Sequence, residues 1–244
     1  MEKGYAHSMN GCLPIYGHET PALDVDNKPS FDSRATSITQ GPVVSYDLFA
    51  KHVYTKISDI MEIQCNGQSK YWITTVSSWK KWPLLQLRTG SENGPVLAAC
   101  KTSGFRSKCR IHLGPDCSNP DADDWLIVEN DKFWSSAYRF SADGRELVWK
   151  TTNNKELSAS KWSSKDFKLV DTTNGDRVVA AMVWNMSWKM RKWNELARID
   201  LFETLDERTE HLVLAVLLGI VDYKRRMERA AILSGGGGGG GGGG

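Results

Sequence analysis

The sequence predicts a closed, mostly antiparallel β-barrel of about twelve strands with a central, buried hydrophobic helix near the C-terminus. Two observations predict it. Four Asn-Gly or Asp-Gly turns each separate two apolar runs, and Leu212–Val221 is apolar at every position. About twelve strands lie near the upper limit for an open sheet, and closure into a barrel removes exposed edges. The lumen of such a barrel is wider than its own side chains can fill, so one helix would fill it.

Both ends of the chain are expected to be tails. Residues 1–45 mix Gly, Pro, Ser and Asp with isolated apolar residues, which is typical of a disordered segment. Residues 231–244 form a Gly-rich tail that is also expected to be disordered, because the ten glycines Gly235–Gly244 have no side chains to bury. The barrel domain is then residues 46–230.

Hairpins account for most of that domain. Asn-Gly and Asp-Gly favour two-residue turns because both central residues need a positive φ. Turns are predicted at Asn66-Gly67, Asn93-Gly94, Asp143-Gly144 and Asn174-Gly175. The eight flanking strands are Ile60–Cys65, Tyr71–Val76, Leu84–Leu87, Val96–Cys100, Tyr138–Phe140, Leu147–Thr151, Phe167–Val170 and Val178–Trp184. Further strand candidates are Cys109–Leu113, Trp125–Glu129, Arg198–Phe202 and Val53–Ile57.

The helix is expected at about residues 205–230. Thr204 and Glu207 fit a capping box, with Thr204 as the N-cap and Glu207 reaching back. The late basic residues Lys224-Arg225-Arg226 complement the helix dipole, and a lipid site is their alternative role. The ten apolar residues would span about 15 Å, against about 30 Å for a bilayer core, so no transmembrane span is predicted.

This order of elements resembles the tubby C-terminal-like superfamily, which includes the tubby domain, the LURP-one-related proteins and the phospholipid scramblases. Phe167–Tyr223 carries the likeness best: FKLVDTTNGDRVVAAMVW, then RIDLFETL, then the apolar helix. A looser likeness covers about residues 45–230. Members of the superfamily share a twelve-stranded barrel threaded by a hydrophobic helix. The resemblance therefore implies that fold, and it also implies lipid binding.

The sequence lacks the common motifs of enzymes and of metal sites. The sequence contains no Gly-x-Ser-x-Gly, His-Glu-x-x-His or Walker-type loop, so no enzyme and no cofactor are predicted. An enzyme or a lipid-transfer protein would need a cavity, whereas the apolar helix is expected to fill the lumen. The possible zinc ligands are Cys100, Cys109, His112 and Cys117, but their spacing favours ordinary core or loop residues over a zinc site. Asp121, Asp123 and Asp124 lack the pattern of a calcium loop, so a solvated turn is preferred and no metal is predicted.

Two segments place basic residues between tryptophans, and both are expected to connect strands. They are Trp79-Lys80-Lys81-Trp82 and Trp188–Trp193. Indole rings favour the headgroup level of a membrane while basic side chains meet phosphate, although an acidic protein would suit the same residues. A third cluster, Arg106, Lys108 and Arg110, is expected to alternate along one strand and face one way. The candidate headgroup-binding residues are Lys80, Lys81, Arg106, Lys108, Arg110, Lys189, Arg191 and Lys192, and the candidate interface aromatics are Trp79, Trp82, Trp188 and Trp193.

The leading hypothesis is a non-enzymatic, tubby-like binding domain that recognises phosphoinositides or other anionic headgroups at a membrane surface. The alternative is a protein-interaction scaffold whose tails bind partners and whose barrel is an inert support. For the Trp-Lys segments, the alternative role is structural: the tryptophans close the barrel ends or cover hairpins, and the lysines keep the surface soluble. A net charge of +2 predicts no general affinity for nucleic acid. The odd number of cysteines and the polar N-terminus favour a cytoplasmic protein with free thiols, with a peripheral-membrane or nuclear location as alternatives. The protein is also expected to be a monomer.

Overall fold

The computed structural model describes residues 41–51, 60–78, 81–102, 109–117, 124–130, 137–159, 166–184 and 195–235. It confirms the predicted fold class: twelve antiparallel strands form one closed barrel, and a single C-terminal helix packs inside it. The strands are β1 (Val44–Ala50), β2 (Met61–Cys65), β3 (Gln68–Ser78), β4 (Lys81–Thr89), β5 (Val96–Thr102), β6 (Cys109–Leu113), β7 (Leu126–Asn130), β8 (Ala137–Ala142), β9 (Arg145–Thr151), β10 (Phe167–Asp171), β11 (Arg177–Trp184) and β12 (Glu195–Leu201).

Each strand pairs with its neighbours in sequence, and the ring closes where β1 pairs with β12. Val44 lies opposite Leu201 and Leu48 lies opposite Ala197 at this closing seam. The first strand was not among the predicted ones, because it begins inside the expected tail. Alternate residues Tyr46 and Leu48 are nonetheless fully buried, as expected for a strand with one face on a core. The strand candidate Val53–Ile57 lies outside the described residues.

Two of the four predicted turns have the expected geometry. Asn66 and Gly67 have φ values of 53° and 76°, and Asp143 and Gly144 have values of 48° and 72°. Each pair connects two strands directly, as type I′ turns do. These two hairpins are therefore predicted by their turn residues alone.

The other two hairpins form, but their turns differ from the prediction. Six residues separate β4 from β5, and the positive φ falls on Gly90 rather than on Asn93-Gly94. Between β10 and β11 the positive φ values fall on Gly175 and Asp176, one residue later than predicted. The buried Asp171 carboxylate explains this shift, because it accepts hydrogen bonds from the Thr173 amide and from Asn174 Nδ2, which fixes a wider turn.

The helix α1 spans Glu207–Gly235. It begins two residues later than the predicted capping box requires, and the N-cap is Asp206 rather than Thr204. Asp206 Oδ1 accepts a hydrogen bond from the Thr209 amide at 3.0 Å. The helix also extends to Gly235, the first glycine of the expected tail, and residues 236–244 lie outside the described part of the chain.

The apolar part of α1 is enclosed by the barrel. Leu212 is 5% exposed, Val221 is 4% exposed, and the side chains between them are at least as buried as these. They belong to one core cluster with the inward-facing residues of the strands. At Gly219 an added Cβ would lie 2.3 Å from Cys100 Sγ, so glycine permits a close approach there. No described helix combines the length and apolarity that a membrane crossing requires.

Candidate functional site

The antiparallel order divides the strand connections between the two ends of the barrel. At the end that we call the basic end, odd-numbered strands finish and even-numbered strands begin; Ser78 pairs with Lys81 there, and Thr102 pairs with Cys109. At the end that we call the acidic end, even-numbered strands finish, and Cys65 pairs with Gln68. Connections therefore alternate between the two ends along the chain.

The helix runs from the acidic end to the basic end. Near its start, Glu210 bonds to Tyr46 and Tyr71, and Thr209 bonds to Asp143, all close to the acidic end. Near the other end, Lys224 Nζ lies 4.3 Å from the ring centroid of Phe167, the first residue of β10. The basic residues that follow Val221 are thus on the part of α1 that leaves the barrel core at the basic end.

The three predicted binding segments all fall on connections or strand ends at the basic end. Residues 79–80 connect β3 to β4, and residues 103–108 connect β5 to β6. Residues 185–194 connect β11 to β12. Lys81 and Trp82 are in β4 itself, and Arg110 is a half-buried, outward-facing residue of β6. The remaining predicted residues lie outside the described part of the chain: Trp79, Lys80, Arg106, Lys108, Trp188, Lys189, Arg191, Lys192 and Trp193.

The two sets of connections differ sharply in charge. In sequence, the six connections that join strands at the basic end hold twelve basic and four acidic residues. Those at the acidic end, including the connection to α1, hold nine acidic and no basic residues. The acidic nine are Glu92, Asp116, Asp121, Asp123, Asp124, Asp143, Asp176, Glu203 and Asp206. The basic twelve are Lys51, Lys56, Lys80, Arg106, Lys108, Lys132, Lys155, Lys161, Lys165, Lys189, Arg191 and Lys192, and the acidic four are Asp59, Asp131, Glu156 and Asp166.

Tryptophan follows the same division. Five of the ten tryptophans are in the connections of the basic end, and one is in a connection of the acidic end. Two more are in strands next to the basic end: Trp82 is the second residue of β4, and Trp184 is the last of β11. The five are Trp79, Trp134, Trp162, Trp188 and Trp193. Sequence reasoning found two of these segments but did not place them at a common end.

No family model, curated protein or solved structure matches the chain. The residues of the chain itself therefore carry every functional inference.

A buried carboxylate fixes α1 at the acidic end. Glu210 Oε1 accepts hydrogen bonds from Tyr46 Oη at 2.7 Å, Tyr71 Oη at 2.8 Å and Lys70 Nζ at 2.8 Å. Burial alone would raise the pKa of Glu210, but these hydrogen bonds outweigh burial and hold the pKa below its ordinary value. Burial, together with hydrogen bonding to Glu210, raises the pKa of both tyrosines, so they remain donors.

His211 lies beside this cluster. Its ring meets the ring of Tyr71 edge-on, with 5.5 Å between centroids, and burial lowers its pKa against the opposing influence of Glu207 and Glu210. The arrangement contains the Glu210 carboxylate and three donors, one of which is the Lys70 ammonium. It acts as a polar anchor for the helix, and sequence reasoning missed it because its members come from β1, β3 and α1.

One cavity lies at the acidic end. It has a volume of about 580 Å³, within the range of about 300–1,000 Å³ that small-molecule sites occupy. Its walls come from β6, the start of β7, the β8–β9 turn and the first turns of α1. The polar residues that line it are His112, Asp124, Ser141, Asp143, Arg208 and Thr209.

The possible zinc ligands do not form a metal site. Cys100 and Cys109 turn their sulfur atoms toward α1, 2.9 Å apart. His112 instead packs against Trp125, and Cys117 accepts a hydrogen bond from Gln86 Nε2. Within the described ranges, no group of three or more His, Cys, Asp or Glu side chains is placed to hold a metal ion. Asp121 and Asp123, the possible calcium ligands, lie outside those ranges.

Proposed function

We propose that this protein is a non-enzymatic, tubby-like binding domain that docks on membrane surfaces through the basic end of its barrel and recognises anionic headgroups. The observation that carries the proposal is the strand order, which joins the three basic segments to strands that end on one side of the barrel. Chain continuity keeps short connections near the strand ends that they join. In sequence, the six connections of this end hold twelve basic residues and five tryptophans.

The direction of α1 supports the same surface. Lys224 approaches Phe167 at the basic end, and Arg225, Arg226 and Arg229 follow it on the helical backbone. A cation near an anionic membrane contributes about 1 kcal/mol, and this contribution decreases with salt. Several such residues together, with indole rings at headgroup depth, give reversible binding without any segment crossing the bilayer.

The acidic end supports a defined orientation. Its connections hold nine acidic residues and no basic ones, so an anionic surface repels this end while it attracts the other. The barrel therefore docks with α1 pointing its C-terminal half toward the membrane. The likeness to the tubby superfamily, with the lipid binding that it implies, agrees with this proposal.

The test is flotation of the full chain with vesicles of phosphatidylcholine alone, with added phosphatidylserine, and with added phosphoinositide. We expect recovery with both anionic mixtures, stronger with phosphoinositide, and none with phosphatidylcholine alone. Replacing Lys80, Lys81, Lys189, Arg191 and Lys192 by alanine should abolish recovery. The pair Lys80→Ala and Lys81→Ala should weaken binding about thirtyfold, since two charges are removed.

A matched control removes the same charge elsewhere. Arg139→Ala and Arg198→Ala change two exposed arginines on the barrel wall, at β8 and β12, and should leave recovery unchanged. Equal binding to neutral and anionic vesicles would overturn the proposal, as would equal losses for the two pairs of substitutions. Recovery with phosphatidylserine but no preference for phosphoinositide would retain the membrane surface and reject the headgroup specificity.

A further inference from the structure

The cavity at the acidic end opens because β7 is only partly paired. β7 pairs with β8 through Glu129 and Asn130 alone, so Leu126–Val128 do not pair with Phe140–Ala142. Toward the acidic end, the wall of the barrel therefore separates between these two strands. The first turns of α1 reach this gap and contribute Arg208, Thr209 and Leu212 to the lining.

His112 is part of the cavity wall, and one of its ring nitrogens has no hydrogen-bond partner. The residue lines the cavity and is only 8% exposed, and its Nδ1 has no hydrogen-bond partner. Its Nε2 lies 3.0 Å from Asp124 Oδ2. A carboxylate only accepts, so Nε2 carries the proton, and in the neutral ring Nδ1 is a buried acceptor that lacks a donor. Leaving such a group unpaired costs about 1–3 kcal/mol, which a bound donor would recover.

Except for Arg208, the other polar groups of the lining also accept more readily than they donate. Asp143 and Asp124 are both exposed carboxylates, and the hydroxyl of Thr209 already donates to Asp143 Oδ2 at 2.5 Å. The Thr209 amide is bonded to Asp206. Arg208 is the only Lys or Arg among the described lining residues. An anion would therefore meet an occupied helix N-terminus and nearby carboxylates, whereas a cationic donor would meet acceptors.

We infer that this cavity binds a small organic cation, an ammonium or guanidinium compound whose N–H groups donate to His112 Nδ1 and to the carboxylates of Asp124 and Asp143. Trp125 also lines the cavity and packs on the His112 ring with 5.3 Å between centroids. Its ring adds an apolar wall for the carbon part of the ligand and a π-system that favours cations. This site is separate from the basic end, so it does not depend on the membrane proposal.

The test uses three probes of nearly equal shape: benzylammonium, benzyl alcohol and benzoate. Titration calorimetry on the full chain should show saturable binding of benzylammonium, about tenfold or more tighter than benzyl alcohol, and no binding of benzoate. In protein labelled with ¹⁵N-histidine, benzylammonium should shift the Nδ1 resonance of His112, which the His112→Phe variant identifies by its loss. Methylguanidinium, titrated in the same way, then distinguishes the two cation classes.

Two substitutions and one control locate the site. Asp143→Asn and His112→Phe should each weaken benzylammonium binding about tenfold, because each removes one strong acceptor. Asp176→Asn is the matched control: it also removes a charge at a positive φ position, at 62°, from a turn of the acidic end, but outside the described lining. If His112→Phe fails to fold, Asp143→Asn and the order of affinities for the three probes still decide the matter. Equal affinity for all three probes, or no effect of Asp143→Asn beyond that of Asp176→Asn, would overturn the inference.

Discussion

At the acidic end, α1 is held by a buried carboxylate with three donors and by the bond between Thr209 and Asp143. Toward the basic end, α1 packs closely against β5 and β6 at Gly219, and Lys224 lies over the ring of Phe167. The acidic end therefore uses its polar residues to fix the helix and to line a cavity. The connections of the basic end hold an excess of basic residues in sequence, which is typical of a surface that binds an anionic partner.

The contrast follows from a simple property of antiparallel barrels. Every second connection returns to the same end of the barrel. Residues far apart in sequence therefore lie at the same end when an even number of strands separates their connections. Residues 79–80 and 185–194 are separated by more than half of the barrel domain, yet the strands they connect end together. Basic and acidic residues are thus separated between the two ends because they occur in alternate connections.

The largest expected effect comes from breaking the anchor of the acidic end. Glu210→Ala leaves two buried tyrosine hydroxyls and Lys70 without their common acceptor, so we expect a loss of about 3 kcal/mol in the free energy of unfolding. Urea denaturation measures this loss. Glu207→Ala, on the same helix with an 84% exposed side chain, is the control and should change stability by less than about 0.5 kcal/mol. Similar losses for both variants would contradict the anchoring role.

Acid should weaken the same anchor in a defined direction. The pKa of Glu210 is lower in the folded protein than its ordinary value of 4.5, so the unfolded chain binds a proton first as pH falls. The stabilisation is complete above about pH 4.5 and is lost as pH decreases through the folded pKa. In Glu210→Gln, urea unfolding should therefore depend less on pH below 4.5 than in the wild type. Parallel pH curves for the two proteins would show that Glu210 is not the titrating group.

A smaller effect is expected at the basic end. Lys224→Met keeps the apolar stem but removes the cation over Phe167, which should cost about 0.5–1 kcal/mol in urea denaturation. Lys155→Met, at an exposed position in the short 3₁₀ turn Lys155–Leu157, serves as the control with no expected change. A loss at Lys224 as large as that at Glu210 would remove the difference in anchoring between the two ends.

The parts of the fold that local chemistry determines were predictable. Asp143-Gly144 predicts its hairpin because both residues must have a positive φ, and Leu212–Val221 predicts its burial because it has no polar face. The N-cap was wrong because Thr204 and Asp206 both offer a capping oxygen, and only the tertiary position of the helix decides between them. The strand β1 was missed because its pairing partner, β12, is at the other end of the domain.

The candidate sites were less predictable than the fold. The Trp-Lys segments could be recognised by their composition. That they lie at the same end of the barrel depends on the number of strands between them, and therefore on the whole strand order. The acidic cavity could not be foreseen, since it depends on where β7 and β8 stop pairing. Local sequence contains no signal for that point. The sequence presents His112 only as a possible metal ligand, because nothing local indicates that its ring pairs with Asp124.

The pairing of β1 with β12 also has a kinetic consequence. Ring closure joins Val44 to Leu201, so most of the chain must be synthesised before the barrel can close around α1, which follows β12. Contacts between such distant segments form only after a long loop has closed, which costs entropy, so proteins rich in them fold slowly. Until closure, β1 and β12 each present an unpaired edge and Leu212–Val221 has no cover. Nascent chains of this protein are therefore expected to depend on chaperones until β12 has been synthesised and has paired with β1.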